Sequence, residues 1–190
     1  MDKKFINRFL KGSLSASFGT LSAVFFHFLS IMVMTRYMSK DAFGIYLLIL
    51  VVVQCLKLLG GLGLDLTLVK FISGDNKDEN EDVFVTIVLA RFIQVSVLGI
   101  LFYSVGHFLM PLLDQNINDY LIYIPLMFFL ASFRELFFYL LQGLQRFKAY
   151  AVIQAASAVL KFALVLAFMK FDTLSLLTLI YVEILTYSLS

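Results

Sequence analysis

Six long apolar segments limit the fold of this chain more than any other feature of its sequence. They cover roughly residues 14–35, 43–67, 83–109, 120–142, 150–169 and 173–190. Each is close to the ~20 residues that a helix needs to cross the hydrocarbon core of a bilayer. A helix satisfies its own backbone hydrogen bonds in lipid, and these unbroken runs lack the alternation of barrel strands. The segments predict an all-α, polytopic integral membrane protein with about six transmembrane helices, in one membrane domain over residues 1–190.

The composition agrees with a membrane protein and argues against other classes. Hydrophobic residues make up 61% of the chain and charged residues 15%, whereas a soluble domain is about half apolar and a quarter charged. The net charge of +2 comes without a dense run of Lys and Arg, so no nucleic-acid partner is expected. Cys55 stands alone, and neither metal-ligand spacing nor a Gly-x-x-x-x-Gly-Lys phosphate loop occurs. We expect no metal and no cofactor.

The positive charges outside the apolar segments predict the orientation. If the N-terminus is cytoplasmic, eight Lys and Arg lie on the inner side and three on the outer side. The inner residues are Lys3, Lys4, Arg8, Lys11, Lys70, Lys77, Arg146 and Lys148, and the outer residues are Arg36, Lys40 and Lys170. Because cytoplasmic loops carry the excess of positive charge, we expect a multi-pass protein with a cytoplasmic N-terminus.

Ionisable side chains deep in the apolar segments are the candidate functional residues. A charge at the bilayer centre costs at least ~2.5–3.5 kcal/mol, so such residues are expected to face the bundle interior or a water-filled cavity. They are Lys57, Arg91, Arg134, Glu135, Lys161 and Glu183, with Asp65 near the inner rim. Four cations against two glutamates leave two excess positive charges, which suits an anionic cargo such as a phosphate or diphosphate.

Structural roles for the same residues remain open. Lys57 and Arg91 lie toward the inner ends of their helices, where long side chains can reach the interface. Arg134 and Glu135 are helix neighbours that point in different directions, so each needs a partner elsewhere. For Glu135, the expected partners are Arg91 or Lys161.

A second group of residues is assigned to ion pairing or to ion coupling. Glu135 and Glu183 are the acids of this group. His27 joins them because imidazole titrates near neutral pH, although a packed histidine is the more common case.

Small residues predict close helix packing rather than chemistry. They recur at three- and four-residue spacing in the first segment, at Gly12, Ser15, Ala16, Gly19, Ser22 and Ala23. Ala151, Ala155 and Ala158 form a similar pattern in the fifth segment.

Two stretches resemble a known family. "GTLSAVFFHFLSIMVMTRYMSKDAFGIYLLILVVVQCLKLLGGLGLDLTLVKFIS" (19–73) resembles the opening of polysaccharide-biosynthesis flippases of the Wzx type, within the multidrug/oligosaccharidyl-lipid/polysaccharide exporter superfamily. "LLQGLQRFKAYAVIQ" (140–154) resembles the link between helices four and five of the same family. The resemblance extends over nearly the whole chain.

The resemblance implies a flippase in the bacterial cytoplasmic (inner) membrane. Its cargo would be a lipid-diphosphate-linked saccharide for O-antigen, capsule or teichoic-type polysaccharide. Cavity cations would hold the diphosphate, a role that falls first on Arg91 and Arg134, with Lys57 and Lys161 behind them. The family has two related lobes, so we expect this chain to supply the N-terminal half and to be incomplete at its C-terminus. A second half or a homodimer would complete the cavity.

Three alternatives compete with this interpretation. A drug or cation antiporter of the same superfamily would need acidic residues along its path, whereas the buried charges here are mainly positive. A membrane glycosyltransferase would need a carboxylate pair in a sizeable outer loop, and the outer loops are short. A membrane scaffold would not need so many interior cations. We therefore expect a transporter and not an enzyme.

Overall fold

The structure, a computed structural model, describes residues 3–61, 63–73, 77–113, 119–171 and 173–189. Within these ranges the chain is helical and contains no strand. The helices are α1 (Lys3–Tyr37), α2 (Lys40–Gly61), α3 (Leu64–Ile72), α4 (Lys77–Leu113), α5 (Tyr123–Gly143), α6 (Phe147–Lys170) and α7 (Leu176–Ser188). Five of them, α1, α2, α4, α5 and α6, are long and apolar enough to cross a membrane. The predicted all-α membrane fold is confirmed.

Two predicted segments take a different form. The second, predicted as one helix over residues 43–67, divides into α2 and α3 around Gly63, whose φ of 78° is left-handed. Glycine adopts this conformation without a steric penalty because it has no Cβ. The sixth segment forms α7, whose 13 residues extend about 20 Å, less than the ~30 Å hydrocarbon core.

Helix α5 lies at the centre of the bundle and contacts α2, α3, α4, α6 and α7. Its buried residues include Ile124, Met127, Phe128 and Ala131, which recur at three- and four-residue spacing. This spacing places them on one face of the helix, against the main core. Arg134 and Glu135 follow Ala131 by three and four residues and so continue the same spacing. This face of α5 is therefore apolar near the N-terminal end of the helix and charged one turn after Ala131.

Helix α1 packs chiefly on α6, through the small residues that the sequence singled out. A Cβ added at Gly19 would lie 2.5 Å from the Cα of Ala151, which leaves no room for any side chain there. Gly12 faces Phe147, and Phe26 contacts Phe162, so the contacts advance in the same direction along both helices. The prediction of close packing is confirmed, and α1 and α6 run parallel.

The turn between α5 and α6 contains a strained non-glycine residue. Gln145 has a φ of 55°, in the left-handed region. Its amide donates to the Gln142 carbonyl at 2.9 Å, and the Arg146 amide donates to the Leu141 carbonyl at 2.8 Å. These two bonds form the Schellman motif, which usually has glycine at the left-handed position.

Replacing Gln145 with glycine is therefore expected to stabilise the protein. The left-handed conformation costs an L-residue roughly 1–2 kcal/mol, while glycine loses about 0.5–1 kcal/mol of backbone entropy, so the net gain is about 0.5–1 kcal/mol. Thermal unfolding of the purified protein in detergent measures the change. Gln145→Ala is the control, because it removes the side chain and keeps the strain. An equal gain in stability for both variants would show that loss of the Gln145 side chain, and not relief of backbone strain, causes the stabilisation.

Candidate functional site

A cavity of about 540 Å³ lies among α1, α2, α5, α6 and α7. Its charged and imidazole lining residues are His27, Lys57, Arg134, Glu135, Lys161 and Glu183. Three of the four cations predicted to contact substrate thus share one cavity with all three residues predicted for ion pairing or coupling. The fourth cation, Arg91, is not among the lining residues.

Arg134 is the cavity cation that no acid neutralises directly. Among the described residues, the ion pairs join other cations to their acids, and none includes Arg134. Its Nη2 donates to Ser157 Oγ at 3.1 Å, and its buried Nε has no acceptor in the described ranges. A guanidinium carries five N–H donors, so most of its hydrogen-bonding capacity is unused by the described part of the chain.

Two aromatic rings flank the same guanidinium. The Arg134 Cζ lies 5.1 Å from the ring centroid of Phe138 and 5.5 Å from that of Tyr187. Both distances allow cation–π attraction, which is stronger where water is excluded. Phe138 is four residues from Arg134 on α5, whereas Tyr187 comes from α7. The rings hold the guanidinium against the cavity wall without neutralising it, so its charge remains available to a ligand.

Lys161 is held in a buried cluster with an acid and a phenol. Its Nζ forms an ion pair with Glu183 Oε1 and donates to the Tyr46 hydroxyl at 3.2 Å. The Tyr46 hydroxyl also donates to Glu183 Oε1, at 2.5 Å. All three residues are buried. The cluster joins α2, α6 and α7, and it uses the Lys161 charge inside the protein.

Lys57 pairs with Glu135 in a more accessible part of the cavity. Its Nζ lies 3.0 Å from Glu135 Oε2, and the side chains are 19% and 34% exposed. The predicted partners of Glu135 were Arg91 or Lys161, and that prediction is wrong. The packing of α2 on α5 brings Lys57 to Glu135 instead, and Glu135 directly follows the uncompensated Arg134 in the sequence.

Arg91 lies in the interior near the break between α2 and α3. Its Nη1 donates to the Gly60 carbonyl at 2.6 Å, and its Nη2 pairs with Asp65 Oδ2 at 3.3 Å. Arg91 is 1% exposed, so the alternative in which it extends to the interface is wrong. Asp65 is also buried. With Asp65 counted, three acids face four cations in the interior. The excess among the described residues is therefore one positive charge, not two.

Several residues of the site were missed at the sequence level. Phe138 could have been found, because a residue four positions from Arg134 shares its helix face. Ser157, Tyr46 and Tyr187 carry no comparable signal, since each meets its charged partner from a different helix. His27 lines the cavity as predicted, but its role in coupling stays a prediction.

Comparison with known proteins identifies a family. The model of a family described as "Polysaccharide biosynthesis protein" matches residues 9–188, which is nearly the whole chain. No curated protein and no solved structure matches the sequence at a significant level.

Proposed function

This chain belongs to the family of polysaccharide biosynthesis proteins of the Wzx flippase type, and from that premise we propose that it moves a lipid-diphosphate-linked saccharide across the bacterial cytoplasmic membrane. The saccharide would serve O-antigen, capsule or teichoic-type polysaccharide assembly. The N-terminus would lie in the cytoplasm, and a second half or a second copy would complete the transport cavity.

The observation that carries the proposal is the uncompensated charge of Arg134 in the cavity. Burying a cation is costly unless a partner supplies negative charge and hydrogen-bond acceptors. In the described residues, Lys57, Lys161 and Arg91 each have an acid, whereas Arg134 has the hydroxyl of Ser157 and two aromatic rings. A phosphate group would supply both the charge and several oxygens, and arginine binds phosphate in a bidentate geometry.

The same charge distribution favours an anionic cargo over a cationic drug. A cation exporter would be expected to show an unpaired carboxylate in its cavity. Here the cavity acids Glu135 and Glu183 are both paired with lysines. In the proposed cavity, Arg134 contacts the phosphate directly, and Lys161 with Glu183 maintains the helix arrangement around it.

Replacing Arg134 with alanine is expected to reduce export of the saccharide about 10- to 100-fold. A hydrogen bond to a charged group is worth about 1.5–3 kcal/mol, which corresponds to this range. The measurement is made in cells that lack the native gene, by quantifying surface polysaccharide and the lipid-linked saccharide that accumulates inside. Arg134→Lys should recover only part of the export, because an ammonium lacks the planar fork.

Arg36→Ala is the matched control, since Arg36 is exposed at the end of α1. It removes the same side chain away from the cavity and should leave export unchanged. Normal export by Arg134→Ala, at a membrane protein level equal to the wild type, would contradict the assignment of Arg134. Gene deletion that alters resistance to cationic drugs and leaves surface polysaccharide intact would contradict the flippase itself.

A further inference from the structure

The three ion pairs among the described residues differ in how easily a ligand could open them. The Lys161–Glu183 side chains are 9% and 3% exposed, and Arg91 and Asp65 are 1% and 11% exposed. Lys57 and Glu135, at 19% and 34%, are the most accessible pair. Opening a buried pair leaves a charge without compensation, whereas a solvated pair contributes little net stability because water already stabilises both charges.

The accessible pair also stands next to the uncompensated cation. Glu135 follows Arg134 directly on α5, and Lys57 reaches Glu135 from α2. All three line the same cavity. The Lys57–Glu135 pair therefore lies in the same cavity as a ligand whose first negative group binds Arg134.

We propose that Lys57 is a second anion contact masked by Glu135, and that this pair selects ligands with two negative charges over ligands with one. This inference rests on the proposed function and names a specificity determinant of the same site. Arg134 alone compensates a ligand with one negative charge, so that ligand leaves Glu135 paired with Lys57. A second charge competes with the Glu135 carboxylate for the Lys57 ammonium, and it can reach the ammonium because this pair is the most accessible of the described ion pairs.

Lys161 cannot act as this second anion contact, although it also lines the cavity. Its ammonium contacts both Glu183 and the Tyr46 hydroxyl, and all three groups are buried. An incoming phosphate would have to replace two partners at once. The difference between the two lysines is thus a difference in burial and in the number of partners, not in charge.

The test measures binding of two probes to the purified full chain in uncharged lipid nanodiscs. One probe is a farnesyl diphosphate ester of N-acetylglucosamine, with two negative charges, and the other is the corresponding farnesyl phosphate ester, with one. The wild type is expected to prefer the doubly charged probe by about tenfold or more, the equivalent of ~1.4 kcal/mol.

Two variants change this preference in a defined way. Glu135→Gln removes the carboxylate that competes for Lys57, so it should strengthen binding of the doubly charged probe more than that of the singly charged probe, whose one charge is held by Arg134. The double variant Lys57→Met with Glu135→Gln keeps the net charge and removes the second contact. It should lose most of the tenfold preference, chiefly through weaker binding of the doubly charged probe.

The double variant Lys40→Met with Asp41→Asn is the matched control. It removes one lysine and one acid at the exposed start of α2 and should keep the wild-type preference. Thermal unfolding of each variant establishes that it is folded.

The outcomes separate this inference from the proposed function. If Arg134→Ala loses both probes while the Lys57 and Glu135 variants keep the wild-type preference, the selection by Lys57 and Glu135 is refuted and the anion site stands. If the wild type binds neither probe, or Arg134→Ala binds both normally, the anion site itself is refuted, and the selection with it.

Discussion

Replacing Glu183 with alanine is expected to destabilise the folded bundle by about 3–5 kcal/mol, because the change leaves the Lys161 ammonium buried without an acid. Glu183 is 2% exposed and accepts from both Lys161 and Tyr46. Its loss removes the hydrogen bonds through which Glu183 joins α7 to α2 and α6. The measurement is the free energy of unfolding of the purified protein in detergent, together with the amount of folded protein in the membrane.

A double variant shows whether the penalty comes from the unpaired charge. Lys161→Met with Glu183→Leu replaces the pair by apolar groups of similar size, and such exchanges are often neutral or stabilising. We expect the double variant to recover part of the stability that Glu183→Ala loses, because the charge is gone but the buried Tyr46 hydroxyl is left without Lys161 and Glu183. If the double variant were as unstable as the single one, the unpaired Lys161 charge would not account for the loss.

Replacing Gly19 with valine is expected to separate α1 from α6, with a loss of about 3 kcal/mol or more, at the upper end for overpacked positions. The first added carbon would lie 2.5 Å from the Ala151 Cα and 2.8 Å from its carbonyl oxygen. These are backbone atoms, so no change of side-chain rotamer can relieve the collision. Size-exclusion chromatography and thermal unfolding in detergent report the loss of folded protein.

Gly44→Val provides the matched comparison for this variant. Gly44 is in α2, and a Cβ added there meets no atom within 4 Å. Valine should therefore be tolerated at position 44, since its helix propensity is no worse than that of glycine. Equal yields and unfolding temperatures for the two valine variants would contradict the close approach of α1 and α6.

Much of the fold could be predicted from local sequence because lipid restricts the options. Apolar length alone indicated the helices, and the division at Gly63 was the main internal error in their bounds. The small residues of α1 also predicted a contact surface, and Gly19 lies in it. Both inferences depend on properties that a single helix carries by itself: its length, its composition and the spacing along one face.

The candidate site was predictable only in part. The cost of a charge in hydrocarbon indicated that Arg134, Lys57 and Lys161 face inward, and all three line the cavity. The partners were not predictable, and Glu135 is the clearest case, since it meets Lys57 rather than Arg91 or Lys161. The pairing of Asp65 with Arg91 was likewise not predicted.

The sequence by itself determined that this chain is a helical membrane protein of the flippase type with charges directed into its bundle. The tertiary structure alone decided which charges neutralise each other and that Arg134 is left without an acid among the described residues. The physical reason is that the two properties depend on different parts of the chain. The free energy of a side chain in lipid depends on its own chemistry and depth, whereas an ion pair depends on the rotation and packing of two helices distant in sequence.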